Sequence, residues 1–437
     1  MSNRVIVIGG GAAGLMAAGQ AAAAGAEVVL IEKMPRLGSK IAISGKGRCN
    51  LTNAGDISDF IKYYPGNGKF LYASLKQFDN RALIDFFESL GVKTKIERGS
   101  RVFPVSDEAE TVINALQKFL SRHKVKVILG HTVEELILTD GPKVTGVKFI
   151  PTKNNNPGKQ DIVSQQEICS AGAVIVATGG ASYPGTGSTG DGYIWAAKTG
   201  HKVLKPLPAL VPLRTLEQWP RELQGLTLKN VEVSIWVDGV KKDKQFGEML
   251  FTHFGISGPV ILALSRIASH ALAEHKKVEV SINLKPALTP EQLDLRLLRD
   301  FSKFRNRHFK NSLDELLPRK MIPVIVSLSE IQPDKMTNEI NKKERQKLGG
   351  LLQDLRLNVT ATLGMATAIV TSGGVDTKQI NPATMESRLV KGLFWAGEVI
   401  DIDGITGGYN LQAAFSTGYK AGRAAANAVA DNVANNN

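Results

Sequence analysis

The sequence predicts an α/β fold: a Rossmann-like nucleotide-binding domain with a parallel sheet, split in sequence by an α+β insert domain. Three observations carry that prediction. An apolar strand near the amino terminus runs into a glycine-rich turn and an alanine-rich helix. Strands of the same kind, each ending in glycine, return at residues 173–180 and again after residue 368. Between those two returns the character of the chain changes, opening on a proline run from Lys205 to Leu213. At 437 residues the chain exceeds one ordinary core. The expected divisions are 1–204 for the first part of the nucleotide domain, 205–360 for the insert, 361–432 for the second part and 433–437 for a frayed tail. Within the insert, 205–285 reads as strand-rich and 286–360 as helical.

In order, Val5, Ile6, Val7 and Ile8 are all β-branched, as suits a strand buried on both faces of a parallel sheet. Gly9, Gly11 and Gly14 then satisfy G-x-G-x-x-G, with Ala12 and Ala13 between the last two. The first glycine permits the tight turn, the second lets backbone approach a pyrophosphate, and the third lets the helix lie close on the strand. The helix start offers free N–H groups to a diphosphate. Glu32 closes the second strand, where a carboxylate accepts both hydroxyls of an adenosine ribose and repels a 2′-phosphate. FAD and NAD both meet these demands.

The loop from Lys33 through Lys40, Ser44, Gly45, Arg48, Cys49, Asn50 and Thr52 is rich in glycine and hydrogen-bonding residues, which suits wrapping a diphosphate and a polyol chain. Arg48, Asn50 and Thr52 supply donors, while Cys49 reads as a small packed residue rather than a reactive thiol. Helices are expected at 70–78, 80–91 and 107–123. Strands follow at 125–129, 132–138 and 143–150, the last two forming a hairpin that includes Val133 and flanks the adenine edge. Asn154–Gly158 reads as a surface loop.

A second buried strand, 173–177, ends in Thr178-Gly179-Gly180, directly after Ala177. The glycine-rich run from Tyr183 to Gly192, which contains Asp191, opens a helix at 193–199. Pro206, Pro208 and Pro212 exclude a helix and suit an interdomain crossing. In the insert, strands are expected at 226–237, 247–252 and 277–284, a helix at 259–270, and further helices between 290 and 357. The nucleotide fold resumes with a strand at 368–375, which holds Gly374, and another at 393–401, which holds Gly397 and Glu398. A glycine-rich turn from Gly404 to Gly408 then leads through Tyr409, Asn410, Leu411 and Gln412 into a helix at 410–429.

The net charge of +13 permits an anionic partner, but residues 205–356 hold 25 Lys and Arg against 18 Asp and Glu, so the excess is only mildly concentrated there. The two cysteines form no C-x-x-C, which points to a reduced, cytoplasmic protein. No apolar run reaches the ~18 residues of a membrane span, and strand 1 begins at Arg4 with no basic leader.

Taken together, G-G-G-x-A-G with Glu32, the S-G-K-G-R-C-N segment at 44–50, A-T-G-G at 177–180, G-E-M-L-F-T-H-x-G-x-S-G-P in the insert and the run from Ala396 to Gln412 resemble the aminoacetone-oxidase-like, BaiN-type FAD-dependent oxidoreductases of the glutathione-reductase-type flavoprotein superfamily. The likeness spans nearly the whole chain. It implies non-covalent FAD, with Glu32 on the adenosine ribose and Gly11–Gly14 on the pyrophosphate. It also implies that Arg48–Thr52, Gly397-Glu398 and Gly408–Gln412 face the ribityl chain and isoalloxazine. A helix starting at Gly407-Gly408 aims its positive end at N1 and C2=O, which favours the reduced flavin. The chemistry belongs to the flavin, so no metal is called for.

The expected function is hydride transfer between a small molecule and flavin N5, with reoxidation by O2, NAD(P) or another acceptor. An amine such as aminoacetone and a C=C bond in a ring are both compatible substrates. His253, Tyr183 and Tyr409 are the candidates for positioning the substrate between insert and flavin. A nicotinamide has no fingerprint of its own here, so one that reduced the flavin would dock transiently. The competing class is an RNA-modifying flavoprotein that grips nucleic acid through its basic insert. Its basic residues, though, lack the aromatic interleaving of an RNA-binding motif. A third reading makes FAD a structural or sensing ligand only.

Overall fold

The computed structural model describes residues 3–152 and 166–434, so the loop expected at Asn154–Gly158 lies outside the described residues. The chain divides into two compact units, one of Met1–Leu207 with Ile369–Asn437 and one of Pro208–Ala368.

The first unit opens with β1 (Arg4–Ile8), α1 (Ala12–Ala23) and β2 (Glu27–Glu32). After the loop come short helices at Tyr72–Gln77 and Asn80–Ser89, then α2 (Ala109–Arg122) and β3 (Lys126–Leu129). A separate antiparallel sheet follows, β4 (His131–Leu138), β5 (Val144–Pro151) and β6 (Glu167–Ser170), and the chain re-enters the main sheet as β7 (Ala173–Val176). β1 runs parallel to β2 with Ile8 opposite Ile31, and parallel to β7 with Ile8 opposite Val176. That register brings Gly9, Glu32 and the Ala177–Gly180 turn out at one carboxyl edge, where α/β sheets bind ligands. Gly14 needs its missing side chain: a Cβ there would sit 1.8 Å from the Gly9 carbonyl oxygen.

After α3 (Asp191–Lys198), the proline run is not a bare crossing. Val203–Ala209 forms β8 of a two-stranded sheet. Two strands leave each other one unpaired edge, where proline's missing N–H costs nothing.

The second unit is built on a closed barrel of β9 (Leu213–Thr215), β10 (Thr227–Val237), β11 (Val240–Thr252), β12 (Gly255–Ser257), β13 (Val278–Asn283) and β14 (Leu355–Thr362). Helix α4 (Pro259–Ala273) and helices at Pro290–Lys303, Ile322–Ser329 and Lys342–Gln353 complete it. Two expectations change here. β14 occupies a stretch assigned to helix, because Leu355, Leu357 and Val359 alternate inward at period two. β11 begins seven residues before 247, since its exposed Lys241–Lys244 end is polar on both faces and shows no alternation.

The chain then returns to the first unit as β15 (Val370–Val375), which pairs with β8, and β16 (Leu393–Trp395), which joins β7 with Trp395 opposite Val176. The five-stranded sheet is ordered β16-β7-β1-β2-β3, with every pair parallel. β16 ends at Trp395 rather than near 401, because Gly397 adopts φ 77° and starts a short 3-10 turn. The last helix, α5 (Tyr409–Ala434), outruns the expected 410–429, so Val433 and Ala434 are helical rather than frayed. Gly418 and Gly422 let α5 rest on α1: a Cβ on either would lie 2.3 Å from the carbonyl oxygens of Ala13 and Ala17 respectively.

Candidate functional site

At the start of α1 the helical ladder begins with Leu15 N–H to Gly11 O (2.9 Å). The N–H groups of Ala12, Ala13 and Gly14 therefore have no helical partner. Gly11 caps the helix without a side chain, no acidic residue lies in the first turn, and a Cβ added at Gly11 would meet nothing within 4 Å. The result is an open anion cradle.

Glu32 stands beside it. Its Oε2 accepts from Gly10 N–H at 2.5 Å and its Oε1 from Met34 N–H at 2.7 Å. Burial raises its pKa, against the pull of those two bonds and of Lys33. Each oxygen keeps a lone pair for a ribose hydroxyl. Lys33 reaches across to Asp191 (2.6 Å) and to the Thr189 hydroxyl, tying the 183–192 strap to the end of β2. Val133 is buried on β4, and Thr178 has a buried hydroxyl with no partner among the described residues. An open helix start, an anchored carboxylate and an orphaned hydroxyl at one sheet edge fit an adenine dinucleotide.

Lys40, Glu398 and two residues that sequence reasoning missed, Ser182 and Thr371, form one network. Lys40 Nζ lies 2.9 Å from Glu398 Oε2 and donates to Ser182 Oγ at 2.7 Å, while Glu398 Oε1 accepts from Thr371 N–H at 2.8 Å and from Ser182 Oγ at 2.9 Å. Burial would raise the Glu398 pKa, but the Lys40 charge and these hydrogen bonds hold it below its usual value. Gly180 fits only because a Cβ would press on Thr371 Oγ1 at 2.3 Å, and Gly374 because one would lie 2.6 Å from Val399 O. Ser182 and Thr371 sit just past and just before the glycine turns, which is the one signal that could have found them.

Arg48, Thr52 and Gln412 each have partners within the protein. Arg48 lies over the Phe103 ring and pairs with Glu97 (2.8 Å) and Asp107 (3.2 Å). The Thr52 hydroxyl donates to Gln412 Oε1 at 2.6 Å, and Gln412 Nε2 donates to Phe78 O and Ser416 Oγ, all buried. The Thr52–Gln412 bond ties α5 to the 44–53 segment, while Arg48 is held by Glu97 and Asp107. Asn50, with its amide oriented to satisfy its neighbours, accepts from Gly408 N–H (3.0 Å). Ser44 Oγ donates to Ile41 O, and Gly45 has φ 57°. Cys49 is fully buried and its thiol is pushed up to about 12 by that burial, the behaviour of a packed residue.

The α5 ladder begins with Gln412 N–H to Gly408 O (3.1 Å), which leaves Tyr409, Asn410 and Leu411 N–H groups without helical partners. Asn410 both donates to Gly404 O and accepts from Gly404 N–H, each at 2.8 Å, fixing the turn before the helix. A Cβ on Gly408 would meet Thr52 O at 2.3 Å. Of the positioning candidates, Tyr409 is stacked on Tyr63 at 4.4 Å and edge-on to Phe60, a packed pin at the helix start with its phenol pKa raised by burial. Tyr183 is half-exposed with φ 51°. His253 is exposed in the barrel unit, in the turn from β11 to β12.

Known proteins resemble this chain over nearly its whole length. The model of the HI0933-like protein Rossmann domain matches residues 3–424. A 3-dehydro-bile acid delta(4,6)-reductase of Clostridium scindens is 34% identical over 97% of this chain and 99% of its own length. A ribosomal RNA dihydrouridine synthase of Haemophilus influenzae is 31% identical over 95% of this chain and 96% of its own. Among solved structures, a 3-ketosteroid delta1-dehydrogenase of Sterolibacterium denitrificans superposes with a TM-score of 0.52 over 98% of this chain and all of that one, at 13% identity, which speaks to the fold alone. No helix among the described residues is long and apolar enough to cross a membrane. This chain belongs to the HI0933-like family of FAD-binding flavoprotein oxidoreductases.

Proposed function

We propose that this protein reduces a carbon–carbon double bond conjugated to a carbonyl in a small cyclic molecule. The observation that carries the reading is the full-length likeness to a reductase whose name places its double bonds next to a 3-oxo group. When bound, FAD supplies hydride chemistry at N5. The chain's own part is to hold the cofactor and favour its reduced state. Ala12–Gly14 would bind the pyrophosphate, Glu32 would hold the ribose, and the N–H groups of Tyr409–Leu411, which lack helical partners, would stabilise negative charge on the reduced cofactor. We also assign the nucleotide domain to the glutathione-reductase-type superfamily, on the glycine run followed by Glu32.

Such a reduction would take a hydride at the β-carbon, supplied by reduced FAD as it returns to the oxidised form, and a proton from solvent at the α-carbon, and would leave the carbonyl intact. Photoreducing the FAD-loaded protein without oxygen and mixing it with a 3-oxo-Δ4 steroid tests the reading: flavin absorbance near ~450 nm returns with one saturated product per flavin. A flavin that stays bleached overturns it. NADH and NADPH are then compared as donors on the oxidised protein, and O2 as acceptor on the reduced one. The dihydrouridine synthase relative favours a second reading, since the uracil C5=C6 bond is likewise conjugated to a carbonyl. The spread of basic residues along the chain supports the small molecule; reoxidation by an rRNA transcript but not by the steroid would reverse that choice.

A further inference from the structure

Helix α5 rests on α1 through Gly418 and Gly422, but a different face of it borders a cavity. That cavity, about 460 Å³ in volume, is lined by Lys420, Arg423, Asn427 and Asp431 of α5, with Thr384 and Glu386 opposite them. Its floor is the unusual part. Lys420 is only 8% exposed, and among the described residues its ammonium makes one hydrogen bond, to Ala383 O at 3.1 Å. Among the described residues no carboxylate lies within ion-pairing distance of it. An ammonium carries three donors, so two are left over. Glu386, the wall carboxylate, is already engaged by Gly392 N–H at 2.8 Å.

A buried cation with no carboxylate in ion-pairing reach is costly, and proteins meet that cost by pairing it or by neutralising it; the lining carboxylates Glu386 and Asp431 stand outside that reach among the described residues. Arg423 and Asn427 are exposed at the mouth and add further donors. We propose that this cavity is a binding site for a small oxyanion, a carboxylate or a phosphate group, held by Lys420 at the floor and Arg423 at the mouth. The lowered pKa of the Lys420 amine, caused by burial alone, agrees, because an anion seated on it restores the charged form. The lining Thr384 and Asn427 offer the anion neutral hydrogen bonds.

Titration calorimetry of the FAD-loaded full chain tests this, with inorganic phosphate and succinate as separate probes in chloride of matched ionic strength. The expected result is saturable binding of at least one probe, which also identifies the preferred group. Lys420→Met is expected to weaken it by about tenfold or more, the scale of one charge-assisted contact. Arg423→Gln, a surface change that leaves the fold alone, is expected to weaken it by a smaller factor, so the proposal stays testable should Lys420→Met fold poorly. Absence of binding by both probes overturns the proposal. So does binding that Lys420→Met and Arg423→Gln leave unchanged.

Discussion

On the proposed binding of FAD, Glu32 is the side chain on which cofactor retention turns. Both of its oxygens are needed as acceptors, one for Gly10 N–H and one for Met34 N–H. A glutamine would turn an NH2 group toward one of those donors and lose the charge, and hydrogen bonds to charged groups contribute about 1.5–3 kcal/mol. Glu32→Gln is therefore expected to weaken FAD about 10–100-fold by fluorescence of released flavin; retention equal to wild type would contradict this role. His201 makes a pH statement at the same scale. Its ring nitrogens pair with the Thr199 and Ser387 hydroxyls at 2.9 and 2.7 Å, and burial lowers its pKa. The unfolded chain takes up that proton near ~6.5, so the contribution to stability is complete above that value and is lost as pH falls through the lower folded one. Urea midpoints measured from pH 7.5 to 5.5 should fall more steeply for wild type than for His201→Asn. The place of Glu32 at the end of β2, beside the glycine turn, was legible because its spacing from the glycines is local. His201 was not, since Ser387 stands 186 positions away.

Among the elements, the contact of α1 with α5 is the tightest and the easiest to break. Gly422 lies where a Cβ would be 2.3 Å from the backbone carbonyl of Ala17, and backbone cannot step aside as a side chain can. Gly422→Val should destabilise the protein by about 1–3 kcal/mol or more through overpacking. It should also loosen FAD, because α1 carries Ala12–Gly14 at its start. An unchanged thermal midpoint with unchanged flavin content would show that α5 tolerates displacement. In the first unit β1, β7 and β15 could be read ahead of the structure, because each joins β-branched residues to a glycine turn. The barrel could not be read the same way. β14 alternates over only three inward residues, and its partners, Leu213 with Thr362 and Val278 with Val359, meet across 149 and 81 positions of sequence. The Thr52–Gln412 bond hid for the same reason: both residue types suited cofactor contact, and only the folded register showed that they bond to each other.

For the whole molecule, the decisive fact is that the chain leaves the nucleotide fold and returns to it. The second unit has its own hydrophobic core, which includes Leu213, Val233, Phe251, Val280, Leu348 and Leu357, and shares no member with the core of the first. Its two ends also meet: β9 pairs with β14, and Leu363 N–H donates to Pro212 O at 3.1 Å. A closed barrel with adjacent termini satisfies its own strand edges and needs no outside strand to complete it. Residues 208–368 expressed alone should therefore fold, unfold in a single cooperative step, and bind no FAD. In the full chain, added FAD should raise only the transition of the nucleotide unit, by RT ln(1 + [L]/Kd), about 2.7 kcal/mol at a hundredfold excess over Kd. The transition matching the isolated barrel should stay where it is. One FAD-dependent transition for the entire chain, together with an insoluble fragment, would mean instead that the barrel draws its stability from the nucleotide unit and that the two behave as a single folding unit.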